Sequence, residues 1–206
     1  KKKIITDIDL LYLSNKDFKS IVVTGTNGKS TTCKLISHLL KKNNFKVSLG
    51  GNIGTPILDL EIKKNSFVVI EASSFQLAYS QFICPDYSFL LNIANDHLDW
   101  HGNIVNYTNS KLKIFASQQK HQFAFTNKKL KTIFKKRNFK SQLTVPNNTS
   151  YKKIKKKIKN HYLKSSINDE NMSFVYALSK LLKIKSSGIT KSFKLSFLIP
   201  FLPTYL

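Results

Sequence analysis

Short β-branched runs alternate with stretches of helical period along the first 126 residues. Residues 20–24 (SIVVT), 45–49, 67–70, 87–92 and 122–126 have the length and apolar content of buried strands. After the first of them, Cys33, Leu35, Ile36, Leu39 and Leu40 recur at helical spacing up to Lys42. Further helical patches are predicted over 57–63, 74–80, 103–117 and 168–183. The stretch 3–15 mixes Ile4, Ile5, Ile8, Leu10, Leu11 and Leu13 with Asp7 and Asp9, and reads as a lead-in segment. Strands alternating with helices predict βαβ units. The expected fold class is therefore α/β: a doubly wound, mainly parallel sheet in a three-layer αβα arrangement. Ligands of such sheets sit at the carboxyl ends of the strands. Residues 24–30, 71–74 and 92–97 each follow a predicted strand, so they should share one edge.

Composition narrows the class. Aromatic residues make up 12% of the 206, including 15 Phe and 8 Tyr, which argues against disorder. No apolar run approaches the ~18 residues of a membrane span, and the N-terminus has no signal-peptide stretch. Cys33 and Cys84 are too few for a disulfide framework and match no zinc spacing. A cytoplasmic globular protein, without membrane insertion, is expected. The formal charge of +23 is uneven: residues 111–206 hold 22 Lys or Arg and only Asp169 and Glu170 as acids. A basic surface can serve nucleic acid, but Arg137 is the only arginine, and Lys, Asn and Ile are abundant throughout. The pattern reads as compositional drift, and a nucleic-acid partner is disfavoured. The densest run, 151–159 (YKKIKKKIK), reads as solvated, with Ile154 and Ile158 turned inward.

Gly25-Thr26-Asn27-Gly28-Lys29-Ser30-Thr31 lies between a strand and a helix, the setting of a phosphate-binding loop. Backbone N–H groups would cradle a polyphosphate, Lys29 would reach its outer phosphates, and the Ser30 hydroxyl would hold Mg²⁺. The strict eight-residue pattern asks for glycine at position 23, where Val23 stands. Glu71, at a strand end beside this loop, can ligate Mg²⁺ or cap a helix. Read alone, His97 is a polar loop residue and Lys111 a mid-helix lysine.

The shortened loop resembles the ATP loop of the Mur ligase superfamily. Further stretches resemble, in the same order, the branch of that family that joins D-glutamate to UDP-N-acetylmuramoyl-L-alanine. They are Gly50-Gly-Asn-Ile-Gly54, Glu71-Ala-Ser-Ser-Phe-Gln-Leu77, Leu91-Asn-Ile93 with Asp96-His-Leu-Asp99, and Tyr107 with Lys111-Leu-Lys-Ile114. The resemblance implies an ATP- and Mg²⁺-dependent ligase working through an acyl phosphate. It implies nucleotide contacts from Thr26, Asn27, Gly28, Lys29, Ser30, Thr31 and Asn171. It also implies metal ligands from Ser30, Glu71, His97 and Lys111, the last carbamylated by CO₂. Lys29, Lys111 and His97 would be the catalytic set, and Asn52, Ser73 and Tyr107 would lie near the muramoyl substrate. Such chemistry needs no side-chain nucleophile, and no Ser–His or Cys–His pair stands out. The small-molecule substrates are then UDP-N-acetylmuramoyl-L-alanine and D-glutamate, and a monomer is expected. By the same resemblance, 1–19 is a linker from a UDP-binding domain and 20–185 the central ATP-binding domain. Residues 186–206 would open a truncated or frameshifted C-terminal domain, so ATP binding without efficient ligation is expected. Another P-loop ATPase or kinase, or a basic nucleic-acid module, is the competing reading.

Overall fold

The computed structural model of the chain describes residues 4–14, 17–158 and 161–193. Among these residues, one sheet is built from β1 (Phe18–Thr24), β2 (Val47–Gly51), β3 (Ser66–Glu71), β4 (Tyr87–Leu90), β5 (Phe123–Thr126) and β6 (Gln142–Thr144). The order is β2-β3-β1-β4-β5-β6, and every pairing is parallel. The sheet grows one way from β1 to β3 and β2, and the other way from β4 outward. The switch point between β1 and β4 leaves a crevice at their carboxyl ends.

Alternation along the strands divides the core in two. Ile21, Val23, Phe67, Val69 and Phe89 pack on one face with α2 (Lys29–Lys42), α7 (Asn148–Lys155), α9 (Asp169–Leu181) and α10 (Ser186–Ser192). Val22, Val68, Ile70 and Leu90 pack on the other with α1 (Asp7–Leu13), α3 (Ser74–Tyr79), α5 (Ile104–Ala116) and α6 (Lys131–Lys136). The short helices α4 (Leu98–His101) and α8 (His161–Lys164) complete the set. Phe89 stacks on Phe125 with ring centroids 4.3 Å apart, tying β4 to β5 at the centre of the first face. This is the expected three-layer α/β fold.

Several elements differ from the sequence pattern. The lead-in is helical: Thr6 and Asp9 form a capping box, and Ile8 and Leu11 are buried under the sheet. Residues 57–63 make only a single 3₁₀ turn, Ile57–Asp59. There the chain doubles back along β2, with Gly51 N donating to Thr55 O at 3.0 Å. The close return depends on glycine, since a Cβ on Gly50 would lie 2.2 Å from Thr55 O. The strand β6 has only three residues, too few for a pattern to show. In the basic run, Ile154 and Ile158 are buried while Lys152, Lys153, Lys156 and Lys157 are exposed. Helix α10 packs on α2, with Ile189 and Phe193 buried in the first-face core. The apolar tail 195–206 lies outside the described residues. No helix of the described residues is long and apolar enough to cross a membrane.

Candidate functional site

The loop expected to bind phosphate, residues 25–31, occupies the switch-point crevice. Gly28 caps α2 in the left-handed conformation (φ 82°), and a Cβ there would meet Asn171 Oδ1 at 2.5 Å. Glycine is thus needed both for the turn and for the approach of α9, which sets Asn171 against the loop. No side chain caps α2, so its first N–H groups are open to an anion. Asn92, just past β4, holds the loop from across the crevice. Its carbonyl accepts from Thr26 N (3.1 Å), its Oδ1 from Asn27 N (2.9 Å), and its Nδ2 donates to Asn27 O (3.1 Å). Lys29 folds back, donating from Nζ to Gly25 O at 3.0 Å and Thr26 O at 2.8 Å.

Lys111 comes up from α5 beneath the loop. It is 1% exposed, and its Nζ donates to Gly25 O at 2.9 Å and to Thr24 Oγ1 at 3.5 Å. Burial first, and the Lys29 charge second, hold its ammonium down at about 7, against the partial opposition of Asp96 and Glu71. Its Nζ lies 4.6 Å from the centroid of the Tyr107 ring, one helical turn away. The Tyr107 hydroxyl in turn shares a 3.0 Å hydrogen bond with Thr26 Oγ1. Burial pushes that phenol up, so it stays protonated.

Glu71 ends β3 directly opposite Val23, two residues before the loop. It is 2% exposed. Oε1 accepts from Asn52 Nδ2 at 3.3 Å, and Asn52 N donates to Glu71 O at 2.9 Å. Oε2 is buried with no hydrogen-bond partner. A buried carboxylate oxygen left unpaired is costly unless a cation or donor meets it. Beside a phosphate loop, this oxygen donor fits a hard divalent ion.

His97 is half exposed at the start of α4, in the left-handed region (φ 51°), with Nε2 3.4 Å from Asp96 Oδ2. Its ring lies 4.8 Å from that of Phe75. Ser73 caps α3 in a capping box with Gln76. A Ser–His contact unseen in the sequence also occurs here: His101 Nε2 and Ser74 Oγ are 3.0 Å apart. Both are buried beneath Phe75, Trp100 and Tyr107, and the pair serves as a lock between α3 and α4 rather than as an accessible nucleophile. Burial, then Lys111, lowers His101, keeping it neutral.

One hydrogen-bonded network therefore gathers Thr26, Asn27, Lys29, Tyr107 and Lys111, with Gly28 and Asn171 in contact beside it and the Glu71–Asn52 pair at the adjoining strand end. Ser30 and Thr31 open α2. Ser73 and His97 lie along the same edge, joined to the rest through α3 and α4. Among the described residues no three His, Cys, Asp or Glu side chains cluster closely enough to hold a metal ion. A metal here would need the Ser30 hydroxyl, a modified lysine or water beside Glu71. The sequence does not single out Asn92 as a site residue, although it lies within the Leu91-Asn92-Ile93 stretch; His101 has the architectural role that a loop residue there suggests. A cavity of about 1,000 Å³ opens beside Asn92, lined also by Asn127, Lys128, Lys129, Glu170 and Phe174.

A parallel switch-point sheet, with an uncapped helix start at the loop and a buried lysine beneath it, defines an α/β core suited to a polyphosphate ligand. The chain matches the Mur ligase middle domain over residues 23–194 and belongs to that family. A UDP-N-acetylmuramoylalanine–D-glutamate ligase of Wolbachia pipientis wMel is 47% identical over 135 residues, which are 65% of this chain and 26% of that protein. The ligase so named from the Wolbachia of Brugia malayi is 34% identical, covering 93% of this chain and 50% of its own length. The chain thus spans about a quarter to a half of these relatives. Among solved structures, the Acinetobacter baumannii UDP-N-acetylmuramoylalanyl-D-glutamyl-2,6-diaminopimelate–D-alanyl-D-alanyl ligase superposes with a TM-score of 0.68. It is 16% identical over 89% of this chain and 47% of that one. Helicobacter pylori folylpolyglutamate synthetase gives 0.62 at 17% identity, covering 97% and 65%. These structures establish the shared fold.

Proposed function

We propose that the chain is the ATP-binding core of an acid–amino-acid ligase that joins D-glutamate to UDP-N-acetylmuramoyl-L-alanine. The observation that carries this reading is the convergence of Lys29 and Lys111 on Gly25 O, beside the unpaired Oε2 of Glu71. The names of the relatives supply the substrates.

In the proposed reaction the alanine carboxylate attacks the γ-phosphorus of ATP, giving an acyl phosphate and ADP. The D-glutamate amine then adds to the acyl carbon, and the adduct collapses to amide and phosphate. Lys29 leaves its two loop carbonyls to meet the β- and γ-phosphates, and the α2 N–H groups hold the phosphate chain. Positioning and charge stabilisation supply most of the rate in such transfers. Ser30, Glu71, His97 and a carbamylated Lys111 would hold Mg²⁺, which neutralises charge on the transferred group. Lys111 suits carbamylation: its neutral amine attacks CO₂, loses a proton, and becomes an anion directed at the loop. Thr26, Asn27 and Thr31 line the phosphate path, while Asn171 and the cavity beside Asn92 take the nucleoside. Asn52, Ser73 and Tyr107 face the muramoyl substrate. The protein is read as a cytoplasmic monomer without a nucleic-acid partner.

Thermal unfolding with ligands tests this. Mg²⁺–ATP should raise Tm of the chain, and Lys29→Ala should abolish the rise. No shift in the parent chain at millimolar Mg²⁺–ATP would refute the proposal.

A further inference from the structure

The side-chain amide of Gln76 is held at both ends. Its Nε2 donates to the two carboxylate oxygens of Asp7, at 3.3 and 3.2 Å. Its Oε1 accepts from the backbone N–H and from the hydroxyl of Ser73, each at 3.1 Å. A carboxylate only accepts and a backbone N–H only donates, so this amide has a single orientation. The Ser73 hydroxyl proton is consequently spent inward, on Gln76 Oε1. One Ser73 lone pair takes the Gln76 backbone N–H, 3.2 Å away. What the hydroxyl has left to offer a ligand is its second lone pair.

Helix α1 is fixed against α3 at the far end too. Asp9 Oδ1 accepts from the N–H groups of Gln81 (2.9 Å) and Phe82 (2.8 Å), and Thr6 Oγ1 lies 2.9 Å from Ser80 Oγ. Asp7 is thereby held in place by contacts that do not involve Gln76.

We infer that Asp7 is a positioning residue: through Gln76 it fixes the Ser73 hydroxyl as a hydrogen-bond acceptor, so that Ser73 takes an amide N–H of the acyl substrate and turns away its carboxylate and phosphate oxygens. This rests on the reading of the strand edge as the muramoyl-substrate site. An anionic oxygen at that position would face a lone pair with no proton between them, an arrangement that leaves both unpaired.

A donor–acceptor swap tests the relay. Gln76→Glu places two carboxylates together, and their repulsion drives the side chain off both Asp7 and Ser73, freeing the Ser73 hydroxyl. Adding Asp7→Asn restores the link in reverse, because the new amide donates to the new carboxylate, which again accepts from Ser73. Binding of UDP-N-acetylmuramoyl-L-alanine and of Mg²⁺–ADP is measured by calorimetry on the whole chain, with Tm as a check on folding. Gln76→Glu and Ser73→Ala should each weaken precursor binding about tenfold, and the double variant should recover to within about threefold. Mg²⁺–ADP affinity should stay within about twofold throughout. Precursor binding unchanged in Gln76→Glu, or a folded double variant that does not recover, overturns the inference alone. A parent chain that binds Mg²⁺–ADP but no precursor overturns the substrate-site reading, and the inference with it.

Discussion

Lys29 and Lys111 donate to one and the same oxygen, the Gly25 carbonyl, at 3.0 and 2.9 Å. One cation is half-buried at the loop surface and the other is sealed beneath it. Their shared acceptor gives the loop a floor of two amines before any ligand arrives.

That floor has a measurable pH signature. Burial, then Lys29, holds folded Lys111 at about 7, whereas the unfolded chain keeps the ordinary value of 10.5. Between those values the unfolded state binds more protons, so the sealed lysine opposes folding less as pH rises. Lys111→Met should therefore stabilise the metal-free chain more at low pH than at high. Its advantage should shrink by roughly 2–3 kcal/mol between about pH 6 and pH 9. Urea unfolding at the two pH values decides; parallel curves for parent and variant would show that the ammonium is not perturbed.

Raising bicarbonate should modify the same amine. Above about pH 7, where the folded amine is neutral, Lys111 should gain the mass of one CO₂ that is lost on acidification. Native mass spectrometry or ¹³C NMR with labelled bicarbonate reads this. A signal that persists in Lys111→Met would assign the adduct elsewhere.

Asn92 makes three hydrogen bonds to the loop backbone from outside it. Asn92→Ala keeps the carbonyl contact and removes the two side-chain bonds, which should weaken Mg²⁺–ATP binding about tenfold with under ~1.5 kcal/mol lost in stability. An unaltered nucleotide Kd would mean that the loop holds its shape unaided.

Glycines 51 and 54 separate strain from crowding. At Gly51 (φ 108°) a Cβ would meet the Glu71 carbonyl at 2.4 Å, whereas at Gly54 (φ 66°) it would meet nothing within 4 Å. Gly51→Ala should destabilise by roughly 3 kcal/mol and Gly54→Ala by roughly 1 kcal/mol. Chemical denaturation ranks them; equal losses would place the cause in the backbone angle alone.

Much of this arrangement was legible from the chain because strand ends and polar stretches coincide. Val23, Ile70 and Leu90 are each followed within a few residues by Gly25, Glu71 and Asn92, and parallel pairing brings all three to one edge. The parts that stayed hidden depend on contacts distant in sequence. Asp7 reaches Gln76 across 69 positions, and His101 reaches Ser74 across 27, with no periodicity linking either pair. The helix expected over 57–63 failed for a related reason. Its apolar residues do not form one stripe: Ile57 is buried in the second-face core beside α1, Leu58 is exposed, and Leu60 lies over Gly50. The depression of Lys111 could not be read at all, because burial is a property of the fold and one lysine among many carries no mark of it.

The return of the chain along β2 bears on solubility. An outer strand normally exposes unpaired amides that another molecule can template upon. Here the Thr55 carbonyl meets Gly51 N, and the Ser48 hydroxyl donates to Glu61 O, so part of that border is already occupied. The opposite border, β6, is three residues long and lies between Lys140 and Pro146. With both margins blunted, the sheet offers little purchase for intermolecular strand addition, and deleting the Thr55 turn should raise the rate of aggregation read by light scattering.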